Sequence, residues 1–505
     1  MKFNLLSKNR NVVTNYESAR AYSLTPEVEL YTAVVTTSMN DKFYEKADER
    51  ITRIRELVAK NDPEYVAKLA IYARNSMYMR SIPLVLVVEL AKLNSGNTIV
   101  SKTVKGVVQR ADEITELLAY YQLANGRKDT KKLNKLSKQL QKGLSDVFNK
   151  FDEYQFSKYN REGEIKLRDA LFLVHPKAAT EEKQGLFNKI AKDELGTAYT
   201  WETELSALGQ VKYENAETRA KVFCAKWEEL IDSGKIGYMA MLRNLRNIME
   251  AGVSWEHMKK ACNMLANPEA VKKSKQMPFR FLAAYREIKV MKSDYVSMIL
   301  NALEDAVTES IKNIAGFDEK TKVLVACDVS RSMQKTISAK SKIMSFDIGL
   351  MLGMLIQSKC KGVVTGMFGD TWKIINMPNR GILANVDEFY RREGEVGYAT
   401  NGYLVLNDMI KNKMKVDKVL IFTDCQLWDS NNSGSNMQKL WNVYKMMVPG
   451  AKLYLFDLAG YGNTPVRAMQ NDVFLIAGWS DKVFDMLEAI EKGTSAVQKI
   501  KEVVL

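Results

Sequence analysis

A carboxylate and two hydroxyls occupy alternate positions in Asp328-Val329-Ser330-Arg331-Ser332. They follow the apolar run Lys322-Val-Leu-Val-Ala-Cys327, which reads as a buried strand. In extended or turning backbone this spacing lets three hard oxygens converge on one small cation. Mg2+ prefers such oxygen ligands and keeps several of its waters. Two distant segments can complete the set: Thr400 in Gly397-Tyr-Ala-Thr-Asn401, and Asp424 ending the strand-like Lys418-Val-Leu-Ile-Phe-Thr-Asp424. The simpler reading is a strand-ending turn whose oxygens cap the next helix.

Taken in chain order, Asp328, Ser330, Ser332, Thr400 and Asp424 resemble the metal-ion-dependent adhesion site of a von Willebrand factor A domain. The resemblance implies a divalent cation, Mg2+ first, and a coordination position that a partner carboxylate or a water fills. Such a site recruits a protein or pins its own loops. An enzyme, either a metal-dependent phosphatase or a nuclease using Asp328, is the less favoured alternative. Asp-Val-Ser lacks the second Asp of an aspartyl-phosphate site. A GxxxxGK[ST] phosphate loop and a dense carboxylate cluster for two metals are both missing from the sequence. Cys327 or Ser330 as nucleophile wants a nearby base, and the two histidines, His175 and His257, are distant in sequence. The expectation is a noncatalytic protein. An adhesion or scaffold module without an RNA role is the other alternative.

The elements that must position these oxygens begin after Phe317. Strand-like runs at 321–327, 362–369, 372–377, 418–424, 452–459 and 473–479 alternate with helical stretches that include Ser345 to Ile356 and Met437 to Met447. A last helix is expected from Asp481 to Glu491. This alternation predicts a mostly parallel sheet with helices on both faces. Phe368-Gly-Asp-Thr-Trp372 is short enough for a hairpin and gives one antiparallel edge strand. Ligands of such sheets bind at the carboxyl ends of the strands, where Asp328 and Asp424 fall.

Before Phe317 no strand succession is expected. Helix follows helix: Tyr44 to Ala59, Pro63 to Arg74, then about 180–195, 216–232, 238–250, 255–265, 278–290 and 293–314. Leu133, Leu136, Leu140 and Leu144 form one apolar stripe, with Lys131, Lys132, Lys135, Lys138 and Lys142 mostly off it. The pattern fits a solenoid or ring of helical pairs, or a one-off bundle; no fixed-period repeat decides between them. The expected domains are 1–317, helical, and 318–505, α/β. The many methionines read as core filler, and Trp201 and Trp255 as core residues.

The chain of 505 residues is 46% hydrophobic and 27% charged, which fits a folded protein. Its apolar runs fall short of a membrane span, and its first residues lack a signal-peptide core, so no membrane partner is expected. Five widely spaced cysteines read as reduced thiols in a reducing, cytoplasmic setting. The net charge of +14 suggests a polyanionic partner. Between Arg127 and Lys177 thirteen Lys/Arg face seven Asp/Glu, so part of the surplus is focused. Within that span Lys158, Arg161, Lys166 and Arg168 are placed to contact phosphates, with Lys177 nearby. Tyr159 is suited to stack on an unpaired base, and His175 to stack or hydrogen-bond. Recognition of single-stranded RNA uses that mixture; a chance cluster of surface cations around a core tyrosine is the simpler account. Arg74 and Arg80 fit either an RNA surface or helix-end cations in water.

The segment Phe156-Ser-Lys-Tyr-Asn-Arg-Glu-Gly163 resembles the corresponding stretch of the TROVE-domain (Ro autoantigen-like) family. So do Tyr199-Thr-Trp-Glu-Thr-Glu-Leu-Ser206, Met239-Ala-Met-Leu-Arg-Asn-Leu245 and Met277-Pro-Phe-Arg-Phe-Leu-Ala-Ala-Tyr285. The resemblance implies a ring of HEAT-like helical repeats followed by a Rossmann-like von Willebrand factor A domain. It implies small structured noncoding RNAs, Y RNA-like, on a basic outer face, and single-stranded 3′ ends of misfolded RNAs in the hole. That is noncoding-RNA quality control or storage, with an exoribonuclease or other protein as partner through the metal site. Lys158 and His175 match family positions tied to RNA binding. The stretch from Arg161 to His175 departs from the animal members.

Overall fold

The computed structural model describes residues 12–38, 42, 44–126, 135–160, 163–312, 317–318, 320–338, 341–431, 433–468 and 472–505. The chain forms two compact units. One gathers Met1–Lys60, Met277–Ala283 and Ile311–Ile500; the other gathers Asn61–Gln276, Ala284–Ser310 and Lys501–Leu505. The N-terminal segment therefore groups with the α/β unit, across the division at residue 317 that the sequence suggests.

The strands are β1 (Val12–Thr14), β2 (Arg20–Ser23), β3 (Val323–Asp328), β4 (Val363–Phe368), β5 (Trp372–Ile374), β6 (Lys418–Thr423), β7 (Lys452–Asp457), β8 (Asn463–Thr464) and β9 (Val473–Ala477). A six-stranded sheet has the order β5-β4-β3-β6-β7-β9. All its pairings are parallel except β4 with β5, the expected hairpin edge. Every residue of β3 is buried, as a strand covered on both faces must be. Full burial of each such Val or Leu is worth about 1.5–3 kcal/mol. The chain enters at β3, builds outward through β4 and β5, then crosses to β6. The carboxyl ends of β3 and β6 thus flank the point where the winding reverses, the usual ligand crevice of a doubly wound sheet.

Three expectations are corrected here. The N-terminal region does contain strands: β1 and β2 pair antiparallel, and β2 pairs with β8. The runs are too short to leave a period in the sequence, and their register is set by a partner more than 400 residues away. The helix expected from Tyr44 starts at Ala47, leaving Tyr44 in the preceding loop. A further helix, Ala496–Lys501, follows Val483–Glu491.

In the other unit, helices pack on helices. Asp62 caps Pro63–Asn75 by accepting from the Glu64 and Tyr65 amides at 2.9 and 3.0 Å, with proline in the first turn, where its missing N–H costs nothing. Pro63–Asn75 packs on Ser81–Leu93 and on Ile99–Val107; Ser81–Leu93 packs on Asp112–Ala124, and Ile99–Val107 on Lys138–Phe148. In this stretch helices meet the helix two further on, the stacking of a helical-repeat array. Gly143 permits one of these contacts: a Cβ there would lie 2.7 Å from Val104 Cβ and 2.9 Å from the Ser101 carbonyl oxygen. The leucine stripe is shorter than expected. Ser137 caps the helix, so Leu140 and Leu144 are its buried leucines, Leu136 precedes it, and Leu133 lies outside the described residues. Trp201 is partly buried and stacks on Trp227 at 6.2 Å. Trp255 is not a core residue: it is 52% exposed, against Tyr295.

Candidate functional site

The end of β3 and the end of β6 are adjacent in register, with Cys327 opposite Phe422. This brings Asp328 beside Thr423 and Asp424. The Thr423 hydroxyl donates to Asp328 Oδ2 at 2.6 Å, and the Ser330 amide donates to Asp328 Oδ1 at 2.9 Å. Ser330 Oγ and Ser332 Oγ are 3.3 Å apart. Asp424 Oδ1 accepts from the Gln426 amide at 3.0 Å. The loop carrying Thr400 is pinned to the same crevice. The Ala399 amide donates to Asp370 at 2.8 Å, the Arg331 amide to the Tyr398 carbonyl at 3.0 Å, and the Trp428 amide to the Thr400 carbonyl at 3.2 Å. Gly397, at φ +72°, and Gly369 approach so closely that a Cβ on Gly369 would collide with the Gly397 carbonyl.

All five sequence-predicted ligands are buried and sit on these three neighbouring segments. Burial pushes the Asp328 carboxyl up, against hydrogen bonds from Thr423 and Ser330. Burial pushes Asp424 up as well, and the charge of Asp328 adds to it. Two buried carboxyls, the second raised further by the charge of the first, are the arrangement a divalent cation relieves. Thr400 Oγ1 and Asp424 Oδ2 are buried without a hydrogen-bond partner among the described residues. Such orphans are costly in a native protein, and both are hard oxygens suited to Mg2+. The residues present therefore fit the implied ion, with two carboxylates and three hydroxyls as donors. Among the described residues no group of three or more His, Cys, Asp or Glu side chains stands as an alternative centre.

Cys327 is buried and its thiol is pushed up, by burial first and then by the Asp328 charge. That is the opposite of an activated nucleophile.

The sequence reading missed the chain that lies over this crevice. Asn15 Nδ2 donates to the Leu427 carbonyl at 3.0 Å, and the Tyr16 amide to Gln426 Oε1 at 2.9 Å. The Tyr44 hydroxyl donates to Glu17. Tyr44 stacks on Tyr16 at 5.1 Å and meets Tyr461 edge-on at 5.5 Å. Helix Ala47–Lys60 anchors the segment: Arg50 and Arg53 each donate at 2.7 Å to the carbonyls of Ala459 and Gly460.

The basic segment of the helical unit is distributed over two helices and the loops that follow them. Lys158 and Tyr159 end Glu153–Tyr159. The Lys158 ammonium lies 5.6 Å from the Tyr159 ring and 5.7 Å from the Tyr154 ring. Tyr159 is half-buried and also carries the Arg110 guanidinium at 4.4 Å. Lys166 and Arg168 are exposed at the start of Leu167–Val174, with Arg168 over Phe172 at 5.8 Å. His175 ends that helix in the left-handed conformation, φ +48°, and is exposed, with Lys177 beyond it. The Lys177 backbone is tied down: its amide donates to Ser145 and its carbonyl accepts from Asn149 at 2.9 Å. Arg161 lies outside the described residues. Arg74 and Arg80 are consumed in an ion-pair network, Arg74 with Glu113 at 2.7 Å and Arg80 with Asp112 at 2.7 Å and Glu116 at 3.1 Å.

Fold and site together define a helical-repeat protein joined to a doubly wound α/β unit with a hydroxyl-and-carboxylate crevice. A family model described as the TROVE domain matches residues 20–221 and 194–344, more than half of the chain, and the chain belongs to that family, one of RNA-binding proteins. It is 27% identical over 302 residues to telomerase protein component 1 of Rattus norvegicus, and 28% identical over 305 residues to that of Mus musculus. Those matches cover 46% and 47% of this chain, which spans only 11% and 12% of the length of these curated relatives. Among solved structures, the RO (RSR) protein of Deinococcus radiodurans shares the fold, with a TM-score of 0.60 and 16% identity, over 93% of this chain and 100% of that one.

Proposed function

We propose that the chain is a noncatalytic RNA-binding protein. It takes small structured, Y-like RNAs on the basic surface of its helical unit and receives single-stranded 3′ ends of misfolded RNAs, in noncoding-RNA quality control or storage in the cytoplasm. The observation that carries this reading is the exposed set Lys166, Arg168, His175 and Lys177, with the half-buried Lys158 near them in sequence, within the span matched by the family model. Cations at this density neutralise phosphates and release counterions. An adjacent imidazole and phenols supply stacking faces. The names of the relatives, a telomerase component and a Ro protein, support it. No helix among the described residues is long and apolar enough to cross a membrane.

The test is a gel shift with a small structured RNA. The double variant Lys158→Ala with His175→Ala is expected to bind at least about tenfold more weakly, the loss of one or two charge-assisted or stacking contacts. Equal affinity overturns the placement.

In the α/β unit, Asp328, Ser330, Ser332, Thr400 and Asp424 would hold Mg2+, directly or through water. The ion would supply positive charge to offset the buried carboxylates, and a coordination position for a further oxygen. Calorimetry is expected to show Mg2+ binding to the wild type and none to Asp328→Ala; indistinguishable heats remove the ion from the account.

A further inference from the structure

Helix Leu167–Val174 buries Leu167, Ala170, Leu171 and Val174. Its other face carries a phenylalanine in solvent. Phe172 is 49% exposed, with the exposed Arg168 one turn before it and the exposed His175 one turn after it. Positions spaced i, i+4 and i+7 share one face of a helix, and at a rise of 1.5 Å per residue this row spans about 10 Å. The Arg168 guanidinium lies over the Phe172 ring, 5.8 Å from its centroid. A single exposed apolar side chain needs no explanation; a ring set in a row with a guanidinium and an imidazole is a different arrangement.

The row is also rigidly mounted. Three residues spaced four apart, on helix Lys138–Phe148 and at its end, hold the backbone around His175. Gln141 Nε2 donates to the Val174 carbonyl at 3.0 Å, and Ser145 Oγ accepts from the Lys177 amide at 3.3 Å. Asn149 donates through Nδ2 to the Lys177 carbonyl at 2.9 Å and accepts through Oδ1 from the Ala179 amide at 2.8 Å. These bonds bracket the left-handed turn at His175, φ +48°, a conformation that a residue with a Cβ adopts only where its surroundings hold it. The surrounding charge is mostly positive: Lys166, Arg168 and Lys177 are exposed, and the one acidic residue of the helix, Asp169, accepts from the Lys166 amide at 3.3 Å.

We propose that Phe172 is a stacking platform for one unpaired base of a single-stranded RNA, with Arg168 drawing the adjacent phosphate and His175 bordering the ring on the other side. This rests on the RNA reading above and names the element of the RNA that this face takes. A flat apolar ring offers its face to any base, and a neighbouring guanidinium strengthens the contact. Because the backbone of the row is already fixed, little ordering is left to oppose binding. Gln141, Ser145 and Asn149 are positioning residues.

The experiment is a fluorescence-anisotropy titration of the full chain with an oligoadenylate single strand and, beside it, an abasic strand of the same length and charge. Phe172→Ala and Phe172→Leu are each expected to bind oligoadenylate about tenfold more weakly, the loss of one stacked base. Phe172→Tyr should restore binding, and all three variants should bind the abasic strand as the wild type does. The dependence of affinity on salt should be unchanged in Phe172→Ala and shallower by about one ion in Arg168→Ala. Asn149→Ala should narrow the preference for oligoadenylate over the abasic strand. If the Phe172 variants bind oligoadenylate like the wild type, or lose the abasic strand equally, the platform is overturned while the RNA reading stands. The same holds if the wild type binds a small structured RNA and not oligoadenylate. If the wild type binds neither, both fall.

Discussion

Tyr154 and Tyr159 sit on one short helix and meet different surroundings. Tyr159 is half-buried under the Arg110 guanidinium, whereas Tyr154 is 45% exposed with Lys158 beside its ring. The sequence singles out Tyr159 as the stacking residue; the structure leaves Tyr154 the freer face. Tyr154→Ala is therefore expected to weaken single-stranded RNA binding by about 1–3 kcal/mol in a fluorescence-anisotropy titration, while Tyr159→Ala shows chiefly as a lower melting temperature. The thiols give a second test at this scale. Burial pushes Cys262 up to about 12 and raises Cys327, Cys360 and Cys425 as well. The thiolate is the reactive form, so a raised pKa means slower alkylation at mildly alkaline pH. Cys224 is raised too, by partial burial and then by the Glu228 charge, but it alone is partly exposed and should be modified first, with the other four waiting for unfolding; mass spectrometry after timed alkylation reads the order. Asp328 and Asp424 were legible as strand-ending oxygens because their positions follow from two short apolar runs. Glu17 and Tyr44 carried no such signal: their meaning comes from a contact, and neither lies in a motif.

At the scale of elements, the buried strands and the later long helices were readable from period and composition, and their ends fall within a few residues of expectation, whereas Pro26–Val35, Ser81–Leu93 and Asp112–Ala124 were not singled out. Helix Ala216–Asp232 begins and ends as the pattern predicts, because Asn215 caps it by accepting from the Thr218 amide at 2.8 Å. The stretches that failed are those whose conformation depends on a distant partner. β2 reads as part of a helical region until β8 pairs with it. Two substitutions probe contacts between elements. Gly143→Ala is expected to destabilise the chain by about 1–3 kcal/mol in denaturant unfolding. The helix-propensity gain of alanine over glycine is outweighed by the collision with Val104 and Ser101. Tyr31 both donates to and accepts from Ala477 on the edge strand β9, at 3.0 and 3.1 Å. Tyr31→Phe removes both bonds from a buried site and should cost about 1–3 kcal/mol; hydrogen exchange is expected to quicken at Ala477.

For the whole molecule, charge and family point the same way. If Lys158, Lys166, Arg168 and Lys177 each neutralise a phosphate, binding of a single strand should fall by about fifty-fold between about 50 and about 200 mM salt. A flat salt response would show that the surplus of positive charge is not used on RNA.

The sequence by itself determined the helical region, the doubly wound sheet, and five hydroxyl and carboxylate groups at its carboxyl edge. Periodicity and strand-end placement are local properties of a chain. Only the tertiary structure decided that residues 12–60 pack with the α/β unit, that the crevice is covered, and that Arg74 and Arg80 are spent on carboxylates. Those outcomes depend on which surfaces meet. Asn15 and Leu427, separated by 412 positions, come together through packing and turn geometry that no local pattern encodes.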